Sequence, residues 1–196
     1  MLKWMTRFTY KIECQAAQAG TVYQLAAKYY EDIIHKEAIL ASIYMDDHIL
    51  CVGGGLCPFS AILFHQITGA KVTAIDNNRL CIPKARQVID RLGLGDDVHV
   101  LCQDGANHMD LSSYTVIHLA LQVAPMDYVF SQVQKQAAAG TRLLVRRPKK
   151  TLNGVYSPLP NPQLAFCPYV AHKSRNIGKT LLYTKHAQHS LEDMMA

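Results

Sequence analysis

The sequence has no CxxC pair, no HxH and no HExxH, so the ligand spacings of zinc ribbons, dithiol redox centres and zincins are missing. No apolar run reaches the roughly 18 residues needed to span a bilayer. The opening residues, MLKWMTRFTYKIE, meet charges too early to form the apolar core of a secretion signal. Charge is sparse, with 18% charged against 49% apolar residues, which excludes a disordered chain and predicts a globular one. The expectation is a cytoplasmic protein that needs neither a metal nor a membrane.

Six cysteines, at 14, 51, 57, 81, 102 and 167, follow no regular spacing. Cys51 and Cys102 fall in apolar runs that read as strands, where a thiol packs as a small hydrophobe, so both are expected reduced and buried. The net charge is +5, and much of the excess sits in Arg142, Arg146, Arg147, Lys149 and Lys150. The expected form of that segment is a solvated basic face. The aromatic-interleaved basic stripe of a single-strand binder is absent, so a nucleic-acid partner is not expected.

What is present is an alternation of helix and strand. Residues 16–45 carry apolar side chains at helical spacing (Val22, Leu25, Ala26, Tyr29, Ile33, Ile34, Ala38, Leu40), with Gly20 separating a short first helix from a longer second one. Strands are expected at His48–Val52, Lys71–Ile75, Asp97–Cys102, Thr115–Leu121 and Thr141–Val145. Helices are expected between them at Pro58–Gln66, from Asn77 or Asn78 through Arg91, and at Asp127–Ala139 ahead of Gly140. Five strands separated by helices predict a doubly wound, Rossmann-like, mostly parallel α/β sheet. Prolines 148, 158, 160 and 162 forbid a long helix thereafter. Leu164–Ala171 and Lys179–Thr184 then read as an antiparallel β-hairpin closing the sheet. The expected organisation is a short N-terminal helical cap (1–45), the α/β domain (46–186) and a tail (187–196).

Ligands of such sheets bind beyond the carboxyl ends of the strands, and three features converge there. Gly53-Gly54-Gly55, after the first strand, allows close backbone approach. Pro58 stands where a dinucleotide fold has its third glycine, and no GK[ST] follows for a phosphate loop. Asp76, at the end of the second strand, can accept hydrogen bonds from ribose hydroxyls, with Asn77 beside it. Asp104, with Gly105 and Ala106 after the third strand, can read an adenine amino group. A nucleoside without pyrophosphate fits all three, and S-adenosylmethionine (SAM) is such a molecule.

At these residues the chain, over about positions 45–186, resembles the class I SAM-dependent methyltransferases. It resembles more closely their nicotianamine synthase-like branch. The resemblance rests on Gly53-Gly54-Gly55-Leu56-Cys57-Pro58-Phe59-Ser60, on Tyr29-Tyr30-Glu31 and Glu37 in the preceding helix, and on Asp104-Gly105-Ala106. Leu119-Ala120-Leu121, Val145-Arg146 and Tyr156-Ser157-Pro158 extend it. Gly105 is inserted in the family's Asp-Ala pair, and the N-terminal helical region is short.

The resemblance implies a SAM-binding site formed by Gly53, Gly54, Gly55, Pro58, Asp76, Asn77, Asp104, Gly105, Ala106, Leu119 and Ala120. It implies transfer of a methyl group to a small-molecule acceptor, with aminocarboxypropyl transfer as the alternative. A noncatalytic nucleotide- or RNA-binding module and an NAD-dependent oxidoreductase are the competing classes. The NPPY-type motif of amino-group nucleic-acid methyltransferases is replaced by Leu119-Ala120-Leu121-Gln122. Candidate substrate-side groups are Tyr23, Tyr30, Glu31, Glu37, His118, Arg147 and Tyr156. Of these, Glu37 is expected to face solvent, and His118 to be a core histidine with its hydrogen bonds satisfied. A homodimer is compatible with this reading.

Overall fold

The computed structural model describes residues 20–107 and 110–186, with side chains from residue 24. The expected helix before Gly20, the side chain of Tyr23, Cys14 and the tail from 187 lie outside the described residues. Helix α1 spans Gly20–Leu40. Strand β1 (His48–Val52) runs into the glycine turn, and helix α2 (Phe59–Thr68) begins just after Pro58, whose missing N–H costs nothing at that position. Strand β2 (Lys71–Asp76) leads to helix α3 (Ile82–Arg91), and strand β3 is Val98–Cys102. Strand β4 (Val116–Leu119), helix α4 (Met126–Gln136) and strand β5 (Arg142–Pro148) complete the parallel part. Strands β6 (Tyr169–Ala171) and β7 (Ile177–Thr184) form the hairpin.

The seven strands lie in the order β3-β2-β1-β4-β5-β7-β6, parallel through β5 and antiparallel at β5–β7 and β7–β6. The strand order reverses between β1 and β4, which is where a doubly wound sheet opens a crevice. Alternation within the strands sorts two cores. Ile49, Cys51, Val72, Ala74 and Leu144 face α1, α2 and α3, whereas Leu50, Val52, Ile75, Leu119 and Val145 face α4.

Two boundaries and one burial differ from expectation. Helix α3 starts at Ile82, because Asn78 closes a turn of its own: its Oδ1 accepts from Leu80 N at 3.1 Å and its carbonyl from Cys81 N. Leu164–Ala171 is not one strand. Pro162–Phe166 is a short 3-10 turn capped by Asn161, and pairing begins only after Pro168. Cys102 is exposed, since β3 is an edge strand that buries one face only. No helix among the described residues is long and apolar enough to cross a membrane.

Candidate active site

Strand β1 ends in a turn that folds back over β2. Gly53 and Gly54 both donate to Ile75 O, at 2.9 and 3.0 Å, and Gly55 N donates to Asp76 Oδ2 at 2.8 Å. Gly53 has φ +88°, and a Cβ on it would stand 3.3 Å or less from Val123 and Ala120, so this position takes glycine for two reasons. The second oxygen of Asp76 accepts from Asn78 N at 2.9 Å. Asp76 thus bridges the glycine turn to the loop after β2, and each carboxylate oxygen keeps lone-pair capacity for a ligand hydroxyl.

After β3, Asp104 Oδ1 accepts from Ala106 N at 2.9 Å, curling the loop toward β1. A Cβ on Gly105 would stand 2.6 Å from Val52 Cγ1, closer than carbon atoms approach. The extra glycine in this loop is therefore what lets its backbone lie against the end of β1. These elements wall one end of a cavity of about 880 Å³ lined by Gly53, Gly54, Gly55, Pro58, Asp76, Asn77, Asp104, Gly105 and Ala120. That volume is the size of small-molecule sites in general. A shallower depression of similar volume, about 910 Å³, lies over α3 at Arg79, Lys84 and Arg86 and lacks these groups.

The other end of the cavity is roofed by α1. Tyr30 stacks on Phe59 with centroids 5.6 Å apart, and Tyr29 is tied to the β6–β7 turn. Its hydroxyl donates to Ser174 Oγ at 2.8 Å and accepts from Arg175 N at 3.0 Å. Tyr156 lines the same end, where burial raises its phenol above the ordinary range.

Beneath this end lies a buried charge cluster that the sequence did not announce. Glu37 is fully buried, not solvent-facing: its carboxylate receives Arg146 Nε and Nη2, both at 2.8 Å, and the Thr180 hydroxyl at 2.6 Å. Arg146, 4% exposed, spends its remaining Nη1 on Ser60 Oγ at 3.0 Å. Burial alone would raise the Glu37 carboxyl, but the bidentate guanidinium outweighs it and holds the group down at about 2. The same pairing holds Arg146 above its ordinary value against the opposing effect of burial.

His118 is buried as expected, but its bonds are not satisfied. Neither ring nitrogen has a hydrogen-bond partner, and Nε2 stands 3.7 Å from Glu37 Oε2. Burial, reinforced by the charge of Arg146, pushes its imidazole down to about 3, so it is neutral at ordinary pH. The expected basic face at 142–150 is largely spent as well. Arg142 pairs with Asp47 and donates to Ala41 O and Ser42 O, both at 2.7 Å.

Most of the expected residues thus meet at one cavity, joined by Tyr30, Tyr156 and His118. Five do not line it, Glu37 among them because it lies in the buried pair beneath. Leu119 is fully buried under α4, and Ala106 packs against the same core. Arg147 points to the face opposite Arg146 and donates to Leu159 O at 3.4 Å, and Glu31 is exposed. That Ser60, Arg146 and Thr180 join Glu37 in one cluster emerges only from the fold. The one signal for them was the pairing of a Ser after the glycine turn with an Arg at the end of β5.

No family model matches the chain, and no curated protein matches its sequence. Solved structures do match. The sheet order and the position of the cavity define the fold of the class I SAM-dependent methyltransferases. Among the structures with that fold, the chain is similar to MtNAS, a nicotianamine synthase. A variant of MtNAS in complex with S-adenosylmethionine aligns over 94% of this chain and 76% of its own, with 20% identity and a TM-score of 0.79. MtNAS in complex with MTA and tNA aligns over 94% and 74%, with 21% identity and a TM-score of 0.79. An RNA methyltransferase from Salinibacter ruber, in complex with S-adenosyl-L-homocysteine, aligns over 81% and 94%, with 17% identity and a TM-score of 0.63.

Proposed function

We propose that this chain is a SAM-dependent transferase that methylates a small-molecule acceptor. The observation that carries the reading is that a single cavity joins a nucleoside-type end to an acceptor-type end. At the first end, Asp76 supplies a carboxylate for ribose hydroxyls, and the Asp104–Ala106 loop supplies acid and backbone groups for adenine. The glycine turn, free of side chains, leaves room at the sulfur-bearing arm. Nothing in the turn is built to hold a pyrophosphate, and Pro58 occupies the position a dinucleotide fold gives to glycine.

Bound there, SAM supplies an electrophilic carbon on a sulfonium, so the chain's own residues need only align an acceptor and exclude water. Tyr30, Phe59 and Tyr156 provide the apolar walls for this, and α1 shuts the cavity from above. The Glu37–Arg146 pair is charge-balanced and acts at a distance, fixing α1 over the β4–β5 end of the sheet. The reduced thiols of Cys51, Cys102 and Cys167 fit a reducing compartment, so we place the protein in the cytoplasm.

Aminocarboxypropyl transfer is the second reading, favoured by the likeness to MtNAS over almost the whole chain and by the Tyr30–Glu37 helix. Both readings require that SAM binds. Calorimetric titration tests this, and a flat titration with SAM would end them together. Product analysis then divides them, since methyl transfer leaves S-adenosylhomocysteine and aminocarboxypropyl transfer leaves methylthioadenosine. An RNA-binding module is disfavoured because Arg142 and Arg146 are already engaged by carboxylates.

A further inference from the structure

Charge is divided unevenly along the cavity. Its carboxylates, Asp76 and Asp104, stand at the nucleoside end, and its guanidinium groups are those of Arg146 and Arg175. Arg146 is balanced by the bidentate Glu37 beneath it, and His118 is neutral. The acceptor end is therefore left with the charge of Arg175 and with no carboxylate among the described residues that line it. SAM carries a sulfonium and an ammonium against one carboxylate, so it brings further positive charge to the same space. Electrostatic complementarity then favours an acceptor that is anionic and opposes one that is cationic.

The turn that carries Arg175, between β6 and β7, is tied at its base. The buried Ser174 hydroxyl oxygen accepts from Asn176 N at 3.3 Å, from Ile177 N at 2.9 Å and from the Tyr29 hydroxyl at 2.8 Å. Tyr29 in turn accepts from Arg175 N at 3.0 Å. Arg175 is exposed and lines the cavity, with Asn176 beside it, so both stand at its mouth. A guanidinium presents five donors in a planar fork, so a neighbour on one edge leaves another edge for a carboxylate. Inward of the mouth the walls are rings: Tyr30 and Tyr156 pack on Ile33, Leu121 and Ile177. The strand order β1-β4-β5-β7 puts β7 three spacings, roughly 14 Å, from the strand that ends in the glycine turn. The amino-acid arm of SAM, with three carbons between sulfur and carboxylate, is short against that span.

Resting on the SAM reading above, we infer that Arg175 is a specificity-determining residue for the acceptor. The acceptor class is an organic acid with an apolar, ring-bearing body. Its acid group pairs with Arg175 at the mouth, its body lies between Tyr30 and Tyr156, and its nucleophile faces inward toward the sulfonium. The acid group is an anchor and is not the atom that is methylated.

A matched pair of probes isolates the charge: 1-naphthoate and its neutral amide, 1-naphthamide, share one ring system and differ by a negative charge. Calorimetry is run on SAM-saturated wild type, Arg175→Gln and Arg175→Lys, after titration of SAM itself into each. Wild type should bind the acid at least about tenfold more tightly than the amide, as for one charge-assisted hydrogen-bonded pair. Arg175→Gln should bring that ratio close to one while leaving SAM affinity unchanged, and Arg175→Lys should restore part of the preference. A wild type that binds neither probe, or binds both equally, would overturn the proposal. A preference that survives in Arg175→Gln would assign the charge recognition elsewhere and overturn it equally. Weakened SAM binding in Arg175→Gln would assign Arg175 to the carboxylate of the SAM arm, which also overturns it. Failure of wild type to bind SAM would instead overturn the reading on which the proposal rests.

Discussion

Replacing Glu37 by Gln removes one charge from a buried pair and leaves the Arg146 guanidinium, 4% exposed, without a counter-ion. Two routes give the size of the effect. Breaking a buried pair from one side costs about 3 to 5 kcal/mol. Independently, a carboxyl held at about 2 against an ordinary 4.5 stabilises the fold by about 3 kcal/mol, taking roughly 1.4 kcal/mol per pH unit. The folded value is the depressed one, so this contribution is complete above pH 4.5 and is lost as pH falls toward 2. Urea unfolding of wild type and Glu37→Gln should therefore differ by about 3 kcal/mol at pH 7, and the gap should close between pH 4.5 and 2. The double variant Glu37→Met with Arg146→Met, which leaves no orphaned charge, should lose much less than the two single variants together. A Glu37→Gln protein within about 0.5 kcal/mol of wild type at pH 7, or a gap that persists at pH 2, would refute the reasoning.

Gly105→Ala forces a methyl to 2.6 Å from Val52 Cγ1 and should destabilise by about 1 to 3 kcal/mol, read as a lower Tm; an unchanged Tm would mean the loop yields freely. Asp76→Ala removes the acceptor of Gly55 N and Asn78 N together with the ribose carboxylate, and should weaken S-adenosylhomocysteine binding by at least about tenfold by calorimetry. Tyr29→Phe deletes the hydroxyl that joins α1 to Ser174 and Arg175 and should cost about 1 kcal/mol. It should also speed proteolysis of α1, and unaltered cleavage would show that the roof is held by packing alone.

The convergence of the glycine turn, Asp76 and Asp104 at one end of the cavity was legible in the sequence because its determinants are local. A short apolar run ending in three glycines, or a strand ending in Asp, states its own position, and sheet geometry then brings the strand ends together. The charge cluster was not legible. A glutamate in the middle of α1 reads as solvent-facing, and its partner Arg146 sits 109 positions later, inside a run of basic residues that reads as surface. Only the placement of β5 beneath α1 joins them. The segment from Leu164 failed for a different reason: its apolar composition suits a strand, but prolines at 162 and 168 confine it to a turn and delay pairing. His118 was expected in the core and is there, but burial patterns carry no information about unpaired nitrogens.

The hydrogen bond from Thr180 to Glu37 joins positions 143 apart, and it constrains the order in which the chain can assemble. During synthesis α1 emerges long before β7, and until β7 inserts beside β5 the Glu37 carboxylate lacks one of its donors. The roof of the cavity is thus secured late, after the parallel strands have been made. A nascent chain stalled before residue 177 would hold the nucleoside end complete and the acceptor end open. Nucleoside binding should therefore appear earlier on the ribosome than a closed acceptor end, with the last strand serving as the latch.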